Sequence, residues 1–131
     1  MKQSYSRDYF PAAPVFQVTF ISEMQLSIGP FAALVDTGTD VTAAPIAYLE
    51  KIKAPAARAA FVQPHWGERY AVSLFAVDLR IGEWTLPGIE VIGDVKGNEV
   101  ILGRDVLNKL RVLLDGPAQT TEILEPRSKR K

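Results

Sequence analysis

The chain has 131 residues, 47% of them hydrophobic and 23% charged, which suits one domain with its own core and no need of metals or disulfides. Its 15 basic and 15 acidic residues cancel, so there is no footing for a nucleic-acid or acidic-membrane surface over most of its length. With no cysteine, thiol nucleophiles and zinc–thiolate sites are excluded, and His65 is the one histidine a Ser-His-Asp triad could use. Hydrolytic chemistry must then rest mainly on carboxylates, hydroxyls or backbone groups.

Residues 1–14 read as a polar leader ended by Pro11 and Pro14. Lys2 and Arg7 are followed by no apolar run, so the leader is not read as a secretory signal, and nothing approaches the length of a membrane span. The expectation is a soluble, cytoplasmic chain with neither nucleic acid nor membrane as a partner. Residues 15–21 set Val15, Gln17 and Thr19 against Phe16, Val18 and Phe20, the period of a strand. Residues 24–28 predict the next strand, closed by the turn pair Gly29-Pro30. Residues 31–35 are continuously apolar and run into Asp36-Thr37-Gly38, as a strand buried on both faces would.

Residues 45–52 predict a short helix, with Pro45 in the first turn and Ile46, Leu49 and Ile52 at helical spacing, stopped by Pro55. Residues 61–81 predict two strands around a loop beginning at Gln63, and Gly82-Glu83-Trp84 makes another turn. Residues 89–92 and 99–102 are further short strands. Residues 105–110 predict a short helix with Asp105 at its N-terminus, where a carboxylate satisfies free backbone N–H groups. Strands at 112–114 and 120–124 flank the hairpin signal Asp115-Gly116-Pro117. Many short strands with one or two short helices predict an all-β, closed or sandwiched fold over residues 15–124. The end of the chain, 125–131, is a basic tail expected to be disordered.

The triplet Asp36-Thr37-Gly38 alone is weak, since such a triplet arises by chance in roughly 5% of chains this long. Its plain reading is an Asx-type turn. Its setting argues otherwise, because a carboxylate delivered to the end of a buried apolar strand is costly unless something uses it. The segment Val100-Ile101-Leu102-Gly103-Arg104-Asp105 is by itself only strand, glycine turn and capped helix.

The two segments in this order, with a hairpin between, resemble the retropepsin-like aspartic proteases. The resemblance runs from about Val15 to Leu124 and is carried by Ala33-Leu34-Val35-Asp36-Thr37-Gly38-Thr39-Asp40 and Val100-Ile101-Leu102-Gly103-Arg104-Asp105-Val106-Leu107. It implies a closed acid-protease β barrel that supplies its catalytic loop once per protomer, two copies meeting on a twofold axis. The chain holds only one such triplet, so a second copy must provide the partner carboxylate. The implied activity is an aspartic endopeptidase without cofactor or metal, its partners being a second copy of itself and a protein or peptide substrate. By position, Asp36 is the catalytic acid, Thr37 braces the two loops and Gly38 permits close backbone approach. Thr39 and Asp40 are expected at the substrate, and Gly103 and Arg104 as support, Arg104 pairing with Asp40. Residues 63–69 are the candidate flap, with His65, Trp66 and Gly67 toward substrate. That loop departs from the glycine-rich viral flap, and the C-terminal hairpin departs from minimal viral enzymes, which places the chain nearer cellular and bacterial members. The rival expectations are a catalytically inactive dimerisation or peptide-binding module of the same fold, and an unrelated all-β binding protein.

Overall fold

A computed structural model describes residues 1–63 and 67–126. His65, Trp66 and the basic tail 127–131 lie outside the described residues. In chain order the elements are β1 (Lys2–Ser4), β2 (Val15–Ile21), β3 (Ser27–Val35), β4 (Ala43–Pro45), α1 (Ile46–Lys51), β5 (Ala56–Val62), β6 (Tyr70–Ile81), β7 (Trp84–Asp94), β8 (Val100–Leu102), α2 (Arg104–Leu107), β9 (Arg111–Asp115) and β10 (Thr120–Leu124).

Hydrogen bonding in the order β2-β3-β8-β4-β7-β6 returns from β6 to β2, and so closes six strands into a barrel. Closure leaves no edge among these six to recruit a foreign strand. The alternation read in β2 has its physical meaning here. Phe16, Val18 and Phe20 fill the barrel together with Ala33, Val77, Leu79, Ile81, Val91, Val100 and Leu102. The two helices are short, as the sequence predicts, and α1 buries Leu49 in the same core.

One predicted break is not a break. Gly29-Pro30 does not end a strand, because β3 runs through it, and the chain turns earlier, where Ser22 N–H donates to the Leu26 carbonyl at 2.8 Å. Between Val18 and Phe20 the β2–β3 register shifts, the two pairing with Phe31 and Ile28, so the glycine and proline form a bulge. Gly29 has φ 130, and a Cβ there would lie 2.8 Å from the Val18 carbonyl oxygen, so strand β2 dictates the glycine. Likewise Pro87 and Gly88 sit inside β7 opposite a register shift in β6 at Val77–Leu79.

Outside the barrel, the leader and the C-terminal hairpin form a second sheet, ordered β1-β10-β9. Ile123 enters the barrel core, and the buried Thr121 hydroxyl donates to the Val15 carbonyl at 2.6 Å, fastening this sheet to β2. Leu113 and Leu114 on β9 stay 44% and 45% exposed, so one apolar stretch of this sheet is uncovered in a single chain.

Candidate active site

β3 and β8 run parallel, with Ala33, Leu34 and Val35 beside Val100, Ile101 and Leu102. The Asp36 N–H donates to the Leu102 carbonyl at 3.1 Å, and the Val35 N–H to the Pro14 carbonyl at 3.0 Å. The backbone is thus held on both sides up to the residue that leaves the sheet. Asp36 follows, half-buried, and its carboxylate is oriented by its own loop: Oδ1 accepts the Gly38 N–H at 2.9 Å, and Oδ2 accepts the Thr39 hydroxyl at 2.8 Å. The Thr39 N–H closes the turn on the Asp36 carbonyl at 3.2 Å. Thr37 and Gly38 are exposed at its tip, and among the described residues the Thr37 hydroxyl makes no hydrogen bond.

A second layer, from the start of α2, holds the loop. The Arg104 and Asp105 N–H groups donate to the Thr39 and Asp40 carbonyls at 2.8 and 3.2 Å. The Arg104 guanidinium donates through Nη1 to the Thr37 carbonyl at 2.7 Å and pairs through Nη2 with the Asp40 carboxylate. Both side chains are well exposed, so the pair contributes little to stability, and the carbonyl contact is what fixes the tip. Asp105 was predicted to serve its own helix, and it does accept the Val106 N–H at 2.9 Å. The same Oδ1 also accepts the Thr42 N–H at 3.0 Å and the Thr42 hydroxyl at 2.8 Å. Thr42 is fully buried, and its hydroxyl oxygen in turn accepts the Gly103 N–H at 3.0 Å. Gly103 is required sterically: a Cβ would come within 2.8–2.9 Å of backbone atoms of Thr39 and Val41.

Asp36, Thr37, Gly38, Thr39, Asp40, Gly103 and Arg104 are therefore brought into one hydrogen-bonded group. Gly67 is not part of it. It lies exposed with φ 108 beyond the β5–β6 arms, whose outer residues Phe61 and Tyr70 are 66% and 55% exposed. The candidate flap is thus described in its arms, while His65 and Trp66 fall outside.

Sequence reasoning did not find three further features. Thr42 and Asp105 form the brace just described. Beside Asp36, an apolar row crosses the outer face of the barrel in register: Leu34, Ile101, Ala43, Ile92 and Leu74. Leu34 and Ile101 are half-buried yet stand outside the core cluster, so they form a floor facing away from the barrel interior. Lastly, the leader folds back through a bridge between Ser6 and Ala13, and the Tyr9 hydroxyl donates to Glu99 Oε2 at 2.5 Å.

That bond to the Glu99 carboxylate, with smaller contributions from burial and nearby negative charge, pushes the Tyr9 phenol up from 10.0 to about 12. A raised pKa means the folded chain holds the phenol proton more tightly. The stabilisation is therefore complete below pH 10.0 and disappears as pH rises through about 12. Ultraviolet titration at alkaline pH is expected to show a late tyrosinate that Tyr9→Phe removes and Glu99→Gln moves to lower pH. An unchanged profile in both variants would refute the contact.

The chain aligns with a retropepsin-like aspartic protease from Rickettsia conorii at TM-score 0.64 and 13% identity, covering 94% of this chain and 88% of that one. It has the retropepsin-like fold. The retroviral protease-like domain of Ddi1 from Leishmania major aligns at TM-score 0.51 and 16% identity, over 84% of this chain and 88% of that one. No protein-family model and no curated protein sequence matches the chain. The retropepsin-like fold is thus shared with these structures where sequence identity is low. In it, the loop bearing Asp36 leaves the barrel between two parallel strands, tip outward.

Proposed function

We propose that the chain is one protomer of a homodimeric aspartic endopeptidase, with Asp36 from each copy forming the catalytic pair. The observation that carries this reading is the Asp36 loop itself. One carboxylate is oriented by Gly38 and Thr39, sits at an outward-facing tip and lies beside an apolar floor. A lone acid so placed lacks the second carboxylate that water activation needs, and a twofold axis through the tip supplies it. The Thr37 hydroxyl then reaches the partner loop, and Gly38 allows the two backbones to approach.

In that pair, two close carboxylates share one proton and titrate as a unit. The ionised member takes a proton from a water held between them as that water attacks the scissile carbonyl. The protonated member donates to the carbonyl oxygen, giving a tetrahedral diol. Collapse of the diol breaks the C–N bond: one carboxyl gives its proton to the leaving amine while the other carboxylate takes a proton from a diol hydroxyl, so the pair again shares one proton. The reaction needs neither a covalent intermediate nor a cofactor. Asp40 and Thr39 border the substrate backbone, and the β5–β6 hairpin closes over it.

Because each site takes one acid from each chain, specific activity on a peptide library is expected to fall as the protein is diluted through the dissociation constant of its dimer. Light scattering at the same concentrations reads the mass. Cleavage with undiminished specific activity by a monomer would overturn the two-chain site.

A further inference from the structure

Resting on the endopeptidase reading, we propose that Glu99, held by Tyr9, selects a substrate with a lysine or arginine side chain next to the scissile bond. Three observations meet at this place. First, Asp36, Leu34 and Ile101 lie on one face of the β3–β8 pair, and Leu34 and Ile101 give it a half-buried apolar floor outside the core. Second, Glu99 is the exposed residue just ahead of β8, next to Val100, which is buried in the barrel core, so it lies outside the barrel at the end of the β3–β8 pair away from Asp36. Third, Tyr9 reaches across from the leader and occupies only Oε2 of Glu99. Among the described residues Glu99 pairs with no cation, and its side chain is exposed.

The dimensions suit a long basic side chain. Leu102, whose carbonyl holds the Asp36 N–H, is three residues beyond Glu99, a span of at most about 10 Å along the chain. A residue whose carbonyl is attacked at Asp36 lays its methylenes along Leu34 and Ile101. Its charged end then meets Glu99 Oε1. Long basic side chains bury their stems on apolar surface while the head group finds a polar partner. A wholly apolar side chain of equal length would instead end against a carboxylate and a phenol and strip water from both without replacement. Tyr9 is a positioning residue here, because its bond fixes the rotamer of Glu99. The twofold axis repeats the arrangement, so both residues flanking the scissile bond meet one copy of it.

The test compares two peptides identical except for lysine or norleucine at the flanking position. The ratio of kcat/KM for lysine over norleucine is expected to be on the order of 10-fold or more in the wild type, as a charge-assisted hydrogen bond supplies. Glu99→Gln should bring that ratio near one, and Glu99→Lys should turn the preference toward a glutamate peptide. Binding of the same two peptides to the Asp36→Asn protein, measured by calorimetry, reads the subsite with no cleavage required. If Asp36→Asn binds the lysine peptide preferentially and Glu99→Gln on that background loses the preference, the subsite stands even where the endopeptidase reading fails. Equal binding of both peptides, or a lysine preference that survives Glu99→Gln, would overturn the proposal.

Discussion

Asp36→Asn is expected to lose peptide cleavage by on the order of 10³-fold or more while keeping its fold and the wild-type mass in solution. The substitution conserves shape. The amide oxygen can still accept the Gly38 N–H, and the Thr39 hydroxyl, which both donates and accepts, can rotate to receive the amide N–H. What disappears, in the proposed mechanism, is the base that removes a proton from water and the acid that shares it. The effect therefore belongs to chemistry and not to stability, and a melting temperature close to wild type separates the two. Mass spectrometry of a peptide library after incubation with each protein gives the readout. Equal cleavage by Asp36→Asn and wild type would remove the carboxylate pair from the mechanism.

The second large effect lies in the brace behind the loop. Asp105→Ala is expected to destabilise the chain by about 3 kcal/mol, because it leaves the buried Thr42 N–H and hydroxyl and the Val106 N–H without their shared acceptor. For a domain of this size that is a fall in Tm on the order of 10 °C. All three bonds end on the same oxygen, Oδ1, so Asp105→Asn preserves the acceptor and should cost roughly 1 kcal/mol. Urea denaturation of the pair decides between bonding and charge. Equal losses in Ala and Asn would mean that the negative charge, and not the geometry of Oδ1, holds the loop.

The contrast between these residues shows what was legible. The loop at Asp36 could be placed because its signal is local: an apolar strand that ends abruptly on an acid and a glycine. Strand β2 was legible to the residue because Phe16, Val18 and Phe20 alternate with polar neighbours, and a half-buried strand writes that period into sequence. Asp105 was legible only as a helix-end acid, since its second duty is to Thr42, 63 positions earlier. Gly29-Pro30 misled for a related reason. As a dipeptide it signals a turn, and only the Val18 carbonyl on the adjoining strand makes it a bulge. Leu34 and Ile101 were legible as apolar but not as a floor, because the sequence does not record which face of a strand a barrel turns inward. Tyr9 and Glu99 are 90 positions apart and carried no sign of each other.

The distance between the acid and its brace has a consequence for how the chain comes into being. During synthesis the Asp36 loop emerges early, but the Arg104 guanidinium that fixes its tip follows 67 residues later, and the closure of β1 onto β10 spans nearly the whole chain. A nascent or truncated chain ending before α2 carries the acid on an unheld loop. Since domains fold as units, the braced geometry of the Asp36 loop can arise only once almost the entire barrel has left the ribosome. The order of translation thus acts as a timer, leaving the Asp36 loop without its distant brace until the rest of the fold has appeared.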